Sequence, residues 1–309
     1  MNSKMINIKA PAKINLHLEV LGKRRDGYHE LAMVMQSIDL ADYLEIERND
    51  SGVVKLFCNN KDLDTGEDNI IVRAANLLKN NFKDRLLGAD IFLKKNIPIG
   101  AGLAGGSTDA AATLVGLNNL WNLNLNSSEL HTFGGILGSD VPFCINGGSQ
   151  YCFGRGEILE PFISKSDYAI ILVKNPEVSL STPRIYKKYS SAFNICDDSF
   201  ISQIKYKREL LRNNGFESND FLSNGIKIRN DLQKIAETEC SSVKNALSIL
   251  SEFNNNLCYS MSGSGPSCYA IFENLDLAKT SYDENYNILK EDNFEGWVCS
   301  FLNKGVSII

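Results

Sequence analysis

Between Pro98 and Asp109 the chain reads Pro-Ile-Gly-Ala-Gly-Leu-Ala-Gly-Gly-Ser-Thr-Asp, and no other stretch restricts the backbone so strongly. Glycine tolerates positive φ and lets the main chain approach a ligand closely. Successive amide N–H groups can then line a concavity that holds an anion. The residues before the loop, Asp90–Lys95, read as a strand that stops before Pro98. The residues after it, Thr108–Trp121, carry Ala111, Leu114, Leu117 and Trp121 at helical spacing. A helix N-terminus presents unpaired amides worth about half a positive charge, so it adds to the same anion site. Ser107 or Thr108 is the expected N-cap, with Asp109 in the first turn, and both hydroxyls suit a phosphate or a metal.

Other glycine motifs compete for this loop. Gly100, Gly102 and Gly105 match G-x-G-x-x-G, but a dinucleotide site needs an acidic residue about 20 positions on, and the first one is Glu129. The V-A-I-K lysine, H-R-D and D-F-G of protein kinases are missing, and so is the G-x-x-x-x-G-K-[ST] phosphate loop. A tight turn without a ligand is the lesser reading, because four glycines and two hydroxyls fall within nine residues. A second glycine loop, Ser262-Gly263-Ser264-Gly265-Pro266-Ser267, would alone be read as a hairpin connection. Together the two loops suggest two walls around one polyanionic ligand.

A chain of 309 residues exceeds what one core usually fills, so two domains are expected, 1–155 and 156–309. Strands and helices mix without strict alternation, which points to an α+β class. The net charge of -5 opposes nonspecific nucleic-acid binding. Eight scattered cysteines without a C-x-x-C pair fit a reducing compartment. No apolar run is long enough for a signal peptide or a membrane span. A soluble, cytoplasmic protein without membrane or nucleic-acid partners is therefore expected, as a monomer or weak homodimer.

Ala12–Val20 alternates, with Ile14, Leu16, Leu18 and Val20 against Lys13, Asn15, His17 and Glu19. Period two predicts a half-buried strand with all four polar side chains on one face. Further strands are expected at Tyr43–Glu47, Val53–Cys58, Tyr168–Val173, Leu257–Met261 and Cys268–Phe272. Helices are expected over 68–80 and 128–137, with one long helix over 231–253. Residues 186–225 read as polar and irregular. Asp140 precedes Val141-Pro142, and proline suits a first helical turn. From the residues alone Asp140 is equally a helix cap or a catalytic carboxylate. Lys13 would ordinarily be a solvated strand lysine, and Tyr28 an exposed loop aromatic.

The segment Pro98–Leu103 followed by a helix, with the later glycine loop, resembles the superfamily of galactokinase, homoserine kinase, mevalonate kinase and phosphomevalonate kinase, the GHMP kinases. Ala10–Leu16, Asp26–Leu31, Asp68–Ala75, Gly105–Ala111, Ser139–Phe143 and Asn230–Leu232 resemble, in order, the signatures of the diphosphocytidyl-methylerythritol kinase family. The chain departs from that pattern at Ala104, usually glycine, at Thr108, often serine, and at Ser139, more often alanine.

The resemblance implies a two-domain α/β fold with the active site in the cleft between domains. It implies ATP as co-substrate with Mg²⁺, and a cytidine diphosphate-methylerythritol acceptor phosphorylated in the non-mevalonate route to isoprenoids. Lys13 and Asp140 would be the catalytic pair. Pro98, Gly100, Ala101, Gly102, Leu103, Ala104, Gly105, Gly106, Ser107 and Thr108 would hold ATP, with Asn69 and Lys94 beside the adenine. Tyr28 and Tyr186 would stack on the cytosine, His29 would hydrogen-bond it, and Asn15 would meet the methylerythritol diphosphate. No carboxylate set for a metal stands out, so Mg²⁺ is expected on the ATP phosphates, water and Ser107 or Thr108.

Overall fold

A computed structural model describes residues 5–82, 86–163, 167–193, 201–213, 215–216 and 227–309. The chain opens with β1 (Met5–Lys23), β2 (His29–Asn49), β3 (Val54–Cys58), α1 (Ile70–Asn81) and β4 (Gly88–Lys94). Then come α2 (Gly105–Leu120), α3 (Ser127–Leu137), α4 (Val141–Asn146), β5 (Ser149–Gly154), β6 (Ile158–Phe162) and β7 (Ala169–Lys174). The remainder holds α5 (Thr182–Phe193), α6 (Ile201–Arg212), β8 (Arg229–Asn230), α7 (Gln233–Glu239), α8 (Ser241–Ser251), β9 (Cys258–Met261), β10 (Cys268–Phe272), α9 (Leu275–Glu291), β11 (Glu295–Leu302) and β12 (Ser307–Ile308).

Strand β2 is the spine of the molecule. It pairs antiparallel with β1 along its length, with β5 through Leu31–Gln36, with β11 through Ser37 and Ile38, and with β4 through Tyr43–Asn49. From β11 the ladder continues through β7 and β10 to β9. Strands from both ends of the sequence thus share one hydrogen-bonded sheet, the mixed α+β architecture expected. The boundary expected near residue 155 falls in the short turn joining β5 to β6.

Helix α2 packs on β1 and β2 and α4 on β1, while α1 and α3 pack on α2. Helix α2 is buried over most of its length, its Thr108, Asp109 and Thr113 included, as a central helix is. Its Ala110, Ala111, Leu114 and Leu117 are completely buried. Trp121 at its end is also buried, and its indole N–H donates to the Gly88 carbonyl at 3.2 Å. Burying a side chain as large as Leu117 contributes about 1.5–3 kcal/mol, which fixes where the glycine loop before α2 must end.

The half-buried strand expected at 12–20 is corrected. Both faces of β1 are buried, and bulges lie between Pro11 and Lys13 and between Asn15 and His17. A bulge adds one residue to one strand and so reverses which face the following side chains occupy. Ile14 and Leu16 enter one core, whereas Leu18 and Val20 enter the other. Lys13 and Asn15 share a face, but His17 and Glu19 point away from it. The His17 ring meets Phe216 edge-on at 6.2 Å.

Three further expectations change. The helix expected over 231–253 is two helices, broken at Cys240, whose φ of -147° and ψ of 106° are extended. Within 186–225, described as irregular, α5 and α6 are helical; residues 194–200, 214 and 217–226 lie outside the described residues. Helix α2 begins at Gly105, and its N-cap is Ala104 rather than Ser107 or Thr108. Among the described residues no helix is long and apolar enough to cross a membrane. Seven cysteines are free thiols, and Cys196 lies outside the described residues.

Candidate active site

A cavity of about 1130 Å³ opens where β1, β2, the first glycine loop, α5 and the second glycine loop converge. The first loop forms one wall. Gly100 and Gly102 have φ of +63° and +74°. Ala104 also lies in the left-handed region, with φ 57° and ψ 29°, a conformation that costs an alanine about 1–2 kcal/mol. No side chain caps the first turn of α2, so the amides at the helix start have no side-chain partner. Pro98 and Gly100–Ser107 all line the cavity.

Thr108 does not. It is fully buried within the first turns of α2, near Cys144, so its expected role toward phosphate or metal is corrected and Ser107 is left as the hydroxyl on the wall. Lys94 is also corrected. It lies in a separate groove with Tyr43, Phe57 and Phe92, and the cavity instead receives Lys95. Adjacent strand residues face opposite sides, and the sequence offers no way to choose between two neighbouring lysines. Asn69 lines the cavity and caps α1, accepting from the Ile71 amide at 2.9 Å.

The second loop sits directly on the first. Ser262 Oγ donates to the Gly102 carbonyl at 3.0 Å, and Ser264 Oγ pairs with Thr182 Oγ1 at 2.7 Å. Asn230 Nδ2 donates to the carbonyls of Met261 at 2.7 Å and Gly263 at 2.8 Å, tying this loop to β8. The loop is the connection of the antiparallel β9–β10 hairpin, as the hairpin reading has it, and it makes this loop–loop contact across the chain as well.

Lys13 reaches the floor of the cavity from β1. Its Nζ donates to Asn15 Oδ1 at 2.7 Å and to the Gly102 carbonyl at 3.4 Å, and stands 3.5 Å from Asp140 Oδ2. The Lys13 side chain is 6% exposed, so it is no solvated strand lysine. Asp140 precedes α4, with Pro142 in the first turn, but its side chain makes no capping hydrogen bond. The carboxylate is turned instead toward the cavity and Lys13.

At the other end, the Asp26–Gly27 turn presents two rings. Asp26 Oδ1 accepts from the Tyr28 amide at 3.1 Å, and Gly27 has φ +86°. Tyr28 is 53% exposed, with the Arg155 guanidinium 4.8 Å from its ring centre. His29 stacks on Tyr186, with centroids 4.9 Å apart and planes at 27°. Its Nε2 is 2.6 Å from Ser190 Oγ. Burial and the nearby Lys23 charge depress the His29 pKa, favouring the neutral ring. Burial and the charges of Asp140 and Asp231 push the Tyr186 phenol up.

Sequence reading missed Arg155, and it missed Lys95 with Asp42 and Asp109. Arg155 lies in a Gly-Arg-Gly turn that gives no hint of the distant Tyr28. Asp109 is a single acidic residue before an apolar run, and that isolation was the available signal, since buried carboxylates need partners; Asp42, between Asp39 and Glu45, gives none.

Comparison with known proteins narrows what such a cavity serves. Residues 69–148 match the GHMP kinases N terminal domain and residues 208–287 the GHMP kinases C terminal family. A protein of Prochlorococcus marinus subsp. pastoris, named 4-diphosphocytidyl-2-C-methyl-D-erythritol kinase, is 53% identical over 100% of this chain and 99% of its own. One of the same name from strain MIT 9515 is 51% identical over 100% and 99%. The crystal structure of a 4-(cytidine 5'-diphospho)-2C-methyl-D-erythritol kinase superimposes with a TM-score of 0.70 and 28% identity, covering 96% of this chain and 99% of that one. Homoserine kinase from Cytophaga hutchinsonii, at 16% identity and a TM-score of 0.71, shares the fold. By full-length identity and by both matched segments, the chain belongs to the 4-diphosphocytidyl-2-C-methyl-D-erythritol kinases, within the GHMP kinases.

Proposed function

We propose that this chain transfers the γ-phosphoryl group of ATP to the 2-hydroxyl of 4-diphosphocytidyl-2-C-methyl-D-erythritol, giving the 2-phosphate and ADP in the non-mevalonate route to isoprenoid precursors. The observation that carries the reading is the place of the Lys13–Asp140 pair. It lies in one cavity with the glycine loops and with the Tyr28, His29 and Tyr186 rings. Both parts of the chain, divided near residue 155, contribute walls to that cavity.

In this reading the amides of Gly100–Ser107 and the start of α2 hold the triphosphate. Lys13, hydrogen-bonded to the Gly102 carbonyl, stands where the loop meets the acceptor and offsets charge on the transferred group. Asp140 orients the acceptor hydroxyl and takes its proton as the new P–O bond forms and the bond to the β-phosphate bridging oxygen breaks. A carboxylate is a weak base for an alcohol, but the transition state is loose, so placement and charge matter more than basicity. The cytosine lies among Tyr28, His29 and Tyr186, where a neutral imidazole can either donate or accept. Asn15, held by Lys13, faces the methylerythritol diphosphate.

Mg²⁺ suits this site as a passenger on the nucleotide. Among the described residues no group of three His, Cys, Asp or Glu side chains could hold a metal ion, and Ser107 is the glycine-loop hydroxyl that lines the cavity. Bound there, the ion would neutralise phosphate charge.

ADP release with diphosphocytidyl-methylerythritol, its uridine analogue, homoserine and mevalonate tests the reading. Turnover of the cytidine compound alone is expected. Faster turnover of homoserine or mevalonate would assign the chain to another GHMP kinase activity.

A further inference from the structure

Beneath the first glycine loop lies a buried charge cluster that the chemistry above does not use. Lys95 Nζ is 2.7 Å from Asp109 Oδ2 and also hydrogen-bonds Asp42 Oδ2. The three side chains are 5%, 3% and 0% exposed. They come from different elements. Asp42 belongs to β2, Lys95 follows β4, and Asp109 stands in the first turns of α2.

The remaining bonds show what the cluster fastens. Asp42 Oδ1 accepts the backbone N–H groups of Asn96 at 2.6 Å and Ile97 at 2.8 Å, and Asn96 Nδ2 donates to the Ala41 carbonyl at 2.8 Å. The last residues before the loop are thereby stitched to β2. Lys95 stitches the same point to α2, where the loop ends. A Cβ on Gly105 would stand only 2.9 Å from the Lys95 ammonium, so the charge lies directly against the first residue of the helix.

Such a cluster is costly. Two carboxylates and one ammonium, all ionised, would leave surplus negative charge in a buried place. Burial and Asp42 push the Asp109 pKa upward, although Lys95 pulls the other way. Apolar side chains of similar volume often hold a core as well as a buried ion pair does. Charge-assisted hydrogen bonds add direction instead, because they fix donor and acceptor atoms in one geometry.

We propose that Asp42, Lys95 and Asp109 are positioning residues for the nucleotide. They set the span of the glycine loop and aim the uncapped amides of α2 at the phosphates, with Lys95 and Asp109 at the cavity lining and Asp42 behind them. This rests on the assignment of that loop to ATP, and the test separates the two.

ATP affinity is measured by calorimetry, and the KM of ATP and of the acceptor by steady-state kinetics, for the wild type, Asp109→Asn, Lys95→Met and the double variant, each checked for native circular dichroism. Asp109→Asn is expected to weaken ATP at least about tenfold, because small misplacements of binding groups carry large losses. The KM of the acceptor should stay within about twofold, since the cluster lies on the nucleotide side. Lys95→Met should lose more than Asp109→Asn. The double variant should recover part of that loss, because it removes one of the carboxylates left without a cation. If Lys95→Met fails to fold, the near-isosteric Asp109→Asn carries the test. A folded Asp109→Asn with wild-type ATP affinity overturns the proposal, as do equal losses for ATP and acceptor. A wild-type protein that does not bind ATP overturns the nucleotide assignment instead.

Discussion

Gly102 and Ser262 meet so closely that a side chain on Gly102 has no room. A Cβ built there collides with the Ser262 carbonyl oxygen and stands 3.0 Å from that of Gly265. Gly102 is thus required by the contact between the two glycine loops, whatever the ligand does. Gly102→Ala should cost about 1–3 kcal/mol through overpacking, besides the strain of φ +74°. Gly106 separates the two effects. Its Cβ would meet nothing nearer than Ile70 Cγ2 at 3.7 Å, yet it lines the cavity. Gly106→Ala should keep or raise stability by up to about 1 kcal/mol while weakening ATP. Thermal melts beside nucleotide titrations check both variants. Normal ATP affinity in Gly106→Ala would mean that the loop is a turn and not a phosphate cradle.

The exposed Tyr28 ring gives a test of base recognition. Tyr28→Ala should weaken the cytidine-bearing acceptor by about 1–3 kcal/mol, the usual worth of stacking a base on an aromatic ring. The change should leave ATP binding nearly untouched. Equilibrium titration of both ligands decides, and an acceptor dissociation constant that does not move removes Tyr28 from the site.

Glu19 carries an acid-stability signal. Burial alone would raise its pKa, but His17 3.9 Å away, hydrogen bonding from Lys207 at 2.7 Å and the charge of Arg229 outweigh it and hold the value at about 2. A carboxyl depressed in the folded state adds stability above its unfolded pKa, and that stability disappears as pH falls through the folded value. The Glu19 contribution should therefore be intact at pH 6 and decline between roughly pH 4.5 and 2. Urea unfolding of the wild type and Glu19→Gln across that range should give curves that separate at neutral pH and converge in acid. Parallel curves would show that the ion pairs from α6 and β8 to β1 add nothing.

Much of the molecule is legible in its residues where one physical signal dominates. The glycine loop, the helix behind it and the strand before it stand where periodicity and backbone freedom put them. The failures share a cause, which is that side-chain facing depends on partners distant in sequence. The bulge after Asn15 exists because β1 must pair with β2 in two registers, and so Lys13 and His17 part company despite perfect alternation. Lys94 and Lys95 differ only in parity, and Asp42 and Asp109 explain each other only once β2 and α2 are packed. The break at Cys240 falls in Thr238-Glu239-Cys240-Ser241-Ser242, where weak helix formers predominate, and α8 then packs on β9 and β10 while α7 meets α5.

The central claim is that Lys13 and Asp140 form one phosphoryl-transfer centre, and a single-turnover double-mutant cycle with saturating ATP and Mg²⁺ tests it most directly. Asp140→Asn keeps the shape but removes the proton acceptor, and loss of such help typically costs about 10²–10⁴ in rate. Lys13→Met should cost a similar amount, and acceptor affinity should change far less in either variant. Groups that act as a unit are strongly non-additive, so the double variant should be little slower than the slower single one. A near-wild-type rate for Asp140→Asn, or full additivity of the two losses, would contradict the account.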